Sequence, residues 1–137
     1  YNFVTLALAA MRRGESWKAA ADQWVSPTYV PNLVNGALDL LVDQESGIWH
    51  LANRGAVSWA ELACMAAEAA GLDRGLVEAV PGGSLGQRAA RPRYSALGSE
   101  RAQMMPPLED ALARYLHLRA QADEEDETGL EPLQGRM

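Results

Sequence analysis

Cysteine and histidine are scarce in this chain, and their scarcity excludes two kinds of site. A single cysteine, Cys64, leaves no partner for an internal disulfide and is typical of proteins in a reducing compartment such as the cytoplasm. Two histidines and one cysteine cannot supply the four ligands of a structural zinc site. Long apolar runs are also lacking, because charges interrupt them well short of the ~20 residues that a membrane-spanning helix needs. We therefore expect a cytoplasmic protein with no bound metal and no membrane partner.

Basic charge is scarce as well, and most of the net charge of −6 lies at one end. Six carboxylates and one arginine give the segment after Ala122 a charge of −5, so the remaining residues carry −1. This body has neither a basic face nor interleaved aromatic residues, so we expect no nucleic-acid partner. The acidic block is typical of a disordered, solvating tail, and the alternative is a docking element for a basic partner.

The chain opens inside a helical pattern. Phe3, Ala7 and Met11 recur at helical spacing, with no initiator methionine and without the serine, threonine or aspartate that often caps a free helix start. The backbone N–H groups at a helix start need partners. The sequence therefore predicts an uncapped helix start and a chain that is a piece of a longer protein.

Apolar periodicity predicts helices that alternate with short strands. The predicted helices cover residues 3–13, 29–43, 59–70, 99–104 and 107–120, and the predicted strands cover residues 17–21, 47–52 and 76–80. The second helix is expected to bury a stripe of five apolar residues, namely Val34, Ala37, Leu38, Leu41 and Val42. Ser58 and Glu61 form a capping box for the third helix. The alternation is typical of α/β architecture, but the strands are too few and too short for a self-contained doubly wound sheet.

Several reactive residue types have ordinary structural interpretations. Residues 82–86 are rich in glycine, but they lack the lysine and the strand–helix context of a phosphate-binding loop. Cys64 lies within a predicted helix with no cationic activator beside it, so a packed, inert thiol is expected. His50 is interpreted as a strand histidine rather than a catalyst.

Two segments are candidates for ligand binding. Arg88, Arg91, Arg93 and Arg101 surround a loop that contains glycine and proline, and arginine is suited to bidentate contact with phosphate. The alternative is a solvated loop with scattered arginines. Residues 22–28 form a polar connection from a strand to a helix that presents hydrogen-bonding groups, and the alternative is a capped turn.

Six stretches of the sequence, taken together, identify a family resemblance. They are Asn2-Phe3-Val4, Asp22-Gln23-Trp24-Val25-Ser26-Pro27-Thr28-Tyr29, Asn32-Leu33, Gly47-Ile48-Trp49-His50-Leu51-Ala52, Arg91-Pro92-Arg93-Tyr94-Ser95-Ala96-Leu97 and Pro107-Leu108-Glu109-Asp110-Ala111-Leu112. In this order and approximate spacing they resemble the C-terminal half of dTDP-4-dehydrorhamnose reductase, a family of extended short-chain dehydrogenase/reductases.

The resemblance implies reduction of dTDP-4-keto-6-deoxy-L-mannose by NADPH or NADH, in dTDP-L-rhamnose biosynthesis. It implies that residues 1–120 are the C-terminal, sugar-nucleotide-binding portion of an extended Rossmann-type reductase, mostly helical with a few short strands. Residues 121–137 match nothing in the family, and their charge predicts an acidic, disordered tail. The family's glycine motif and Tyr-x-x-x-Lys pair are absent here, since the only lysine, Lys18, follows Gly14. We therefore expect no cofactor site and no catalytic residue in this chain, no activity when it is alone, and its own N-terminal nucleotide-binding domain as a partner.

The resemblance also implies a site for the sugar nucleotide. Arg91 is expected to meet the diphosphate with Arg88 and Arg93 as neighbours, and the sugar side is expected to be lined by Gln23, Trp24, Ser26 and Thr28. Residues 48–51 are expected to join the edge of the nucleotide-domain sheet, so that an exposed edge favours homo-oligomers of the isolated chain. The alternative function is a non-catalytic interaction module built on a reductase-like fold, because a fold does not fix a function.

Overall fold

Four α-helices and two small sheets make up the part of the chain that the structure, a computed structural model, describes: residues 2–101 and 105–128, with side chains to residue 122. The helices are α1 (Phe3–Arg12), α2 (Val30–Val42), α3 (Trp59–Ala69) and α4 (Leu108–Thr128). The strands are β1 (Trp17–Ala20), β2 (Trp24–Val25), β3 (Val57–Ser58) and β4 (Val77–Val80), with 3₁₀ turns at Arg74–Leu76 and Gly82–Leu85. The predicted α/β class is confirmed. Among the described residues, no helix combines the length and the apolar character that crossing a membrane requires.

Side chains cap the starts of α1 and α3. The Asn2 side chain accepts a hydrogen bond from the Thr5 N–H at 2.9 Å, so the expectation that α1 starts without a cap is wrong. Asparagine serves here as well as serine or aspartate does, because its side-chain oxygen reaches the same N–H. The capping box of α3 is confirmed: Ser58 accepts from the Glu61 N–H at 3.1 Å, and Glu61 accepts from the Ser58 N–H at 2.8 Å.

Each of the two sheets has two strands. Strands β1 and β4 are parallel, with Trp17 opposite Val77 and Ala20 opposite Val80. Strands β2 and β3 are antiparallel, with Trp24 opposite Ser58. The predicted strands at residues 17–21 and 76–80 are confirmed to within one residue at either end, whereas β2 lies in residues 22–28, for which the sequence predicts a polar connection or a capped turn and no strand.

The core lies where α1, α3 and α4 meet on one side of the β1–β4 sheet. Its main cluster combines small and large side chains, namely Ala7, Leu8, Met11, Ala66, Ala67 and Leu112. The alanines let the helices approach closely, and the larger residues fill the remaining space. Phe3 closes one end of the core, with its ring centroid 5.9 Å from Trp17 and 4.7 Å from Trp59.

Helix α2 forms as predicted, but the expected burial of its apolar stripe is wrong. The residues of α2 that are buried against the body are Asn32 and Gly36, which lie one turn apart on the same face. The apolar stripe points away, and Leu41 and Val42 are 72% and 77% exposed. The sequence pattern identified the helix and its two faces correctly, but it could not identify which face meets this part of the protein.

Residues 47–52 are not a strand in the described part of the chain, contrary to the prediction. Ile48 is 83% exposed, and the backbone of this segment joins no ladder. Arg101 instead holds the start of this segment. The Arg101 guanidinium donates to the carbonyl of the preceding residue, Ser46, at 2.7 Å and lies 4.0 Å from the centre of the Trp49 ring. An apolar segment becomes a strand only where a second backbone pairs with it, and no described residue does so.

Two boundaries near the C-terminus also differ from the prediction. Helix α4 was expected to end near Ala120, but it continues to Thr128. The short helix predicted at residues 99–104 is not formed by Ser99, Glu100 or Arg101, and its remaining positions, 102–104, lie outside the described residues. Positions 129–137 of the predicted tail lie outside them too.

Candidate functional site

The candidate site lies at the carboxyl ends of β1 and β4. Because these strands are parallel, the segments that follow them emerge side by side. The Ala21 N–H donates to the Val80 carbonyl at 2.9 Å. One residue further along, the Gly82 N–H donates to the Asp22 carboxylate at 2.7 Å. In open α/β sheets the carboxyl ends of the strands are where ligands usually bind.

Gly82 allows the two segments to lie in direct contact. A Cβ atom at position 82 would lie 2.1 Å from Nε2 of Gln23 and 3.1 Å from the Asp22 carboxylate, so no other residue fits there without displacing Gln23. The Gln23 side chain is packed under the turn and is only 7% exposed. Gln23, predicted as a ligand contact, is thus a buried wall of the site. Its main-chain carbonyl also accepts a hydrogen bond from the Trp59 N–H at 3.3 Å.

The segment around Tyr94 lies along β2, on the side opposite to β3. The Trp24 N–H donates to the Arg93 carbonyl at 2.9 Å, and the Ser95 N–H donates to the Trp24 carbonyl at 2.9 Å. These bonds make a parallel bridge between Trp24 and Tyr94. Further on, the Leu97 N–H donates to the Ser26 hydroxyl at 2.7 Å. The two segments that the sequence singled out separately are therefore joined in the structure.

We call residues 83–92 the arginine loop. It leaves the sheet at Gly82, beside Asp22, and it returns at Arg93, beside Trp24. Its ends are therefore close together, as in a compact surface loop that closes on itself. The side chains of Arg88, Arg91 and Arg93 are exposed, and none of them makes an ion pair or a hydrogen bond within the described part of the chain. Three exposed cations thus belong to a segment whose two ends contact Asp22 and Trp24.

The remaining predicted residues have different surroundings. Trp24 is 37% exposed and offers part of its indole to solvent. The Thr28 hydroxyl donates to the Ser26 carbonyl at 3.3 Å, so it stabilises its own turn. The Ser26 hydroxyl accepts from Leu97 and keeps its own proton free to donate. Arg101, grouped with the other arginines in the sequence, instead binds the segment of Ser46 and Trp49.

An apolar cavity of about 440 Å³ borders the segment of residues 22–28. Its walls come from four helices and a turn, and they include Phe3, Pro27, Tyr29, Trp59, Leu112 and Tyr115. No local sequence pattern predicts this cavity, because its residues are spread over more than a hundred positions. The aromatic residues at helix starts were the signal that could have suggested it.

The residues that follow β4 do not fit a dinucleotide. Such a site needs open glycines that lead from a strand into the N-terminus of a helix. Here Gly82 is covered by Gln23, the Asp22 carboxylate faces it, and a 3₁₀ turn of four residues (Gly82–Leu85) follows in place of a helix. The described residues also contain no group of three His, Cys, Asp or Glu side chains that could hold a metal ion.

Comparison with known proteins identifies relatives of most of the chain. Residues 1–119 match the family model of the RmlD substrate binding domain. A dTDP-4-keto-6-deoxy-D-glucose reductase from Streptomyces niveus is 30% identical over 99 residues, which are 72% of this chain and 34% of that protein. The spore coat polysaccharide biosynthesis protein SpsK from Bacillus subtilis is 32% identical over 125 residues, which are 88% of this chain and 44% of that protein.

Solved structures agree with this comparison. The dTDP-4-dehydrorhamnose reductase of Bacillus anthracis, crystallised with NADP, superposes with a TM-score of 0.77 at 30% identity, over 86% of this chain and 43% of that one. The corresponding protein of Clostridium acetobutylicum shares the fold, with a TM-score of 0.81 at 22% identity, over 88% of this chain and 44% of that one. The chain therefore spans less than half the length of each of these proteins, and the resemblance seen in the sequence is confirmed.

Proposed function

We propose, from the premise that this chain belongs to the RmlD substrate binding domain family, that it binds the sugar nucleotide for a reductase of dTDP-linked 4-keto-6-deoxy sugars. The proposed substrate is dTDP-4-keto-6-deoxy-L-mannose, whose 4-keto group is reduced with NADPH or NADH in the formation of dTDP-L-rhamnose. The observation that carries the proposal is the joining of the arginine loop to residues 22–28 at the carboxyl ends of two parallel strands.

The charges of this site suit a diphosphate. Each phosphate group carries oxygens that accept bidentate hydrogen bonds from a guanidinium, and Arg91 is the residue that we assign to this contact. Arg88 and Arg93 flank it, and their side chains make no ion pair within the described part of the chain. On the sugar side, we assign the exposed part of Trp24 to packing, and the free proton of the Ser26 hydroxyl to a hydrogen bond.

The redox step is proposed to belong to a separate nucleotide-binding half. This chain contains no Tyr-x-x-x-Lys pair, and the glycine turn that follows β4 does not fit a dinucleotide. NADPH or NADH would therefore bind to the other half, and we propose that this half also covers the exposed apolar face of α2. The outward orientation of the apolar face of α2 supports a partner there, because exposed apolar faces mark interaction surfaces.

Calorimetric titration of the 137-residue chain tests the proposal. We expect dTDP to bind, dTMP to bind more weakly because it lacks the second phosphate, and NADPH and NADH not to bind. The chain alone should oxidise no NADPH with the keto-sugar nucleotide, and a protein that joins it to a nucleotide-binding half should do so. Equal affinities for dTDP and dTMP would contradict the assignment of the arginines to the diphosphate.

A further inference from the structure

We infer that Asp22 is a positioning residue: its carboxylate fixes the start of the arginine loop and thereby sets where Arg88 and Arg91 meet the ligand. The ligand part of this inference rests on the function proposed above. Asp22 itself is not assigned to any contact with the ligand. It acts through the loop, by accepting the hydrogen bond of the Gly82 N–H at 2.7 Å.

The position of the loop depends on three consecutive residues. The start of the loop, at Gly82, is held by the Asp22 carboxylate and packs against Gln23. The end of the loop is held where the Trp24 N–H donates to the Arg93 carbonyl at 2.9 Å. Between these anchors, positions 83–92 make no backbone hydrogen bond to another segment of the described chain. Because the loop is held only at its two ends, loss of the hydrogen bond at either end changes the positions of Arg88 and Arg91.

Asp22 is the anchor that a side-chain substitution can remove. The bond at Trp24 is made by the backbone and survives any change of side chain except to proline. The bond at Asp22 pairs a carboxylate with an N–H group, which makes it charge-assisted and stronger than a neutral bond. Asparagine at this position keeps an acceptor oxygen and removes the charge, so it separates anchoring from a direct electrostatic effect of Asp22 on the arginines.

Trypsin measures the anchoring without any ligand. The peptide bond after Arg88 lies in the arginine loop. The peptide bond after Arg119 lies in α4, so its cleavage reports opening of the body. We expect Asp22→Ala to speed cleavage after Arg88 about tenfold, because a charge-assisted hydrogen bond contributes about that factor to the fraction of molecules in which the start of the loop is held. Asp22→Asn should speed the same cleavage only about threefold, because a neutral hydrogen bond is roughly half as strong as a charge-assisted one. Cleavage after Arg119 should be unchanged in both variants.

Gly82→Ala approaches the same anchor from the other side. Its Cβ would press on Gln23, so cleavage after Arg88 should again accelerate. Gly83→Ala is the matched control, since a Cβ there meets no atom within 4 Å. Unchanged cleavage after Arg88 in both Asp22→Ala and Gly82→Ala would overturn the inference, and so would a matching acceleration after Arg119.

A double-mutant cycle tests whether Asp22 acts through the arginines. We expect Asp22→Ala to weaken dTDP binding about tenfold in the wild-type background, and less than about twofold in a variant that carries Arg88→Ala and Arg91→Ala. Asp22→Asn should restore most of the affinity. An equal loss in both backgrounds would overturn the inference. If dTDP does not bind to the wild-type chain, the proposed function fails, and the trypsin comparison alone decides whether Asp22 anchors the loop.

Discussion

Among the described residues, Asn53 is the most completely buried polar residue, at 1% exposure, and its amide joins two segments that are far apart in sequence. Its oxygen accepts from the Tyr29 N–H at 2.7 Å, and its nitrogen donates to the Pro106 carbonyl at 3.0 Å. Tyr29 precedes α2 and has no side-chain cap of its own. The buried amide therefore fixes the start of α2 against the segment that leads into α4.

Replacing Asn53 should destabilise the chain substantially. Asn53→Ala leaves the part-buried N–H of Tyr29 without its partner, at a cost of about 1–3 kcal/mol, whereas the Pro106 carbonyl keeps the hydrogen bond from the Arg54 N–H at 3.0 Å. Asn53→Asp keeps the acceptor for Tyr29 but opposes an oxygen to the Pro106 carbonyl, so it should destabilise by at least as much as Asn53→Ala. Urea unfolding measures both variants.

The exposed Asn35 of α2 provides the matched control for that experiment. Asn35→Ala and Asn35→Asp should each change the free energy of unfolding by no more than about 0.5 kcal/mol. Equal effects at positions 35 and 53 would contradict the role assigned to the buried amide.

Local residue patterns were predictable, and distant partners were not. The capping box of Ser58 and Glu61 follows from a spacing of three residues, so the sequence was enough to identify it. The contacts of Asn53 and of Asp22 cross 53 and 60 positions, respectively. For the contact between Asp22 and Gly82, the signal in the sequence is that each residue follows a predicted strand. This signal becomes useful once the two strands are known to be parallel.

At the scale of elements, α2 and residues 47–52 show the same limit. Both have strong apolar patterns, and for both the expected burial or pairing fails among the described residues. A periodic pattern identifies a face that favours burial, but the covering surface comes from elsewhere in a structure. Here α2 meets the body through Asn32 and Gly36, and a Cβ at position 36 would lie 3.8 Å from Leu51.

The exposed face of α2 should make the isolated chain self-associate. An uncovered apolar stripe is expected to pair with the same stripe of another copy. We expect a dimer by light scattering at high protein concentration, and we expect Leu38→Lys with Leu41→Lys to shift it to monomer. Because both side chains are exposed, the free energy of unfolding should change by less than about 0.5 kcal/mol.

Leu118→Lys is the control for this experiment, because Leu118 is a similarly exposed leucine on α4 and lies outside the stripe. It should leave the oligomeric state unchanged. A wild-type chain that remains strictly monomeric at high concentration would contradict the expected self-association.

At the scale of the whole molecule, the resemblance predicted the family and the α/β class, and the comparisons confirm both. The order of short sequence stretches was sufficient for this, since it survives at an identity of about one third. The geometry of the site needed the structure. Gln23, which the resemblance places beside the ligand, is buried, whereas Asp22, to which the resemblance assigns no ligand contact, holds the arginine loop.

The binding of dTDP to Arg91 variants tests the central claim most directly. Titration calorimetry on the 137-residue chain should show affinity lowered about tenfold to a hundredfold by Arg91→Ala, the range expected for loss of a charge-assisted contact. Arg91→Lys should recover only part of it, because a point charge does not reproduce the guanidinium fork. Arg13→Ala, which removes an exposed arginine paired with Glu15, should leave affinity unchanged. An unchanged affinity in a folded Arg91→Ala variant would contradict the claim that the arginine loop binds the diphosphate.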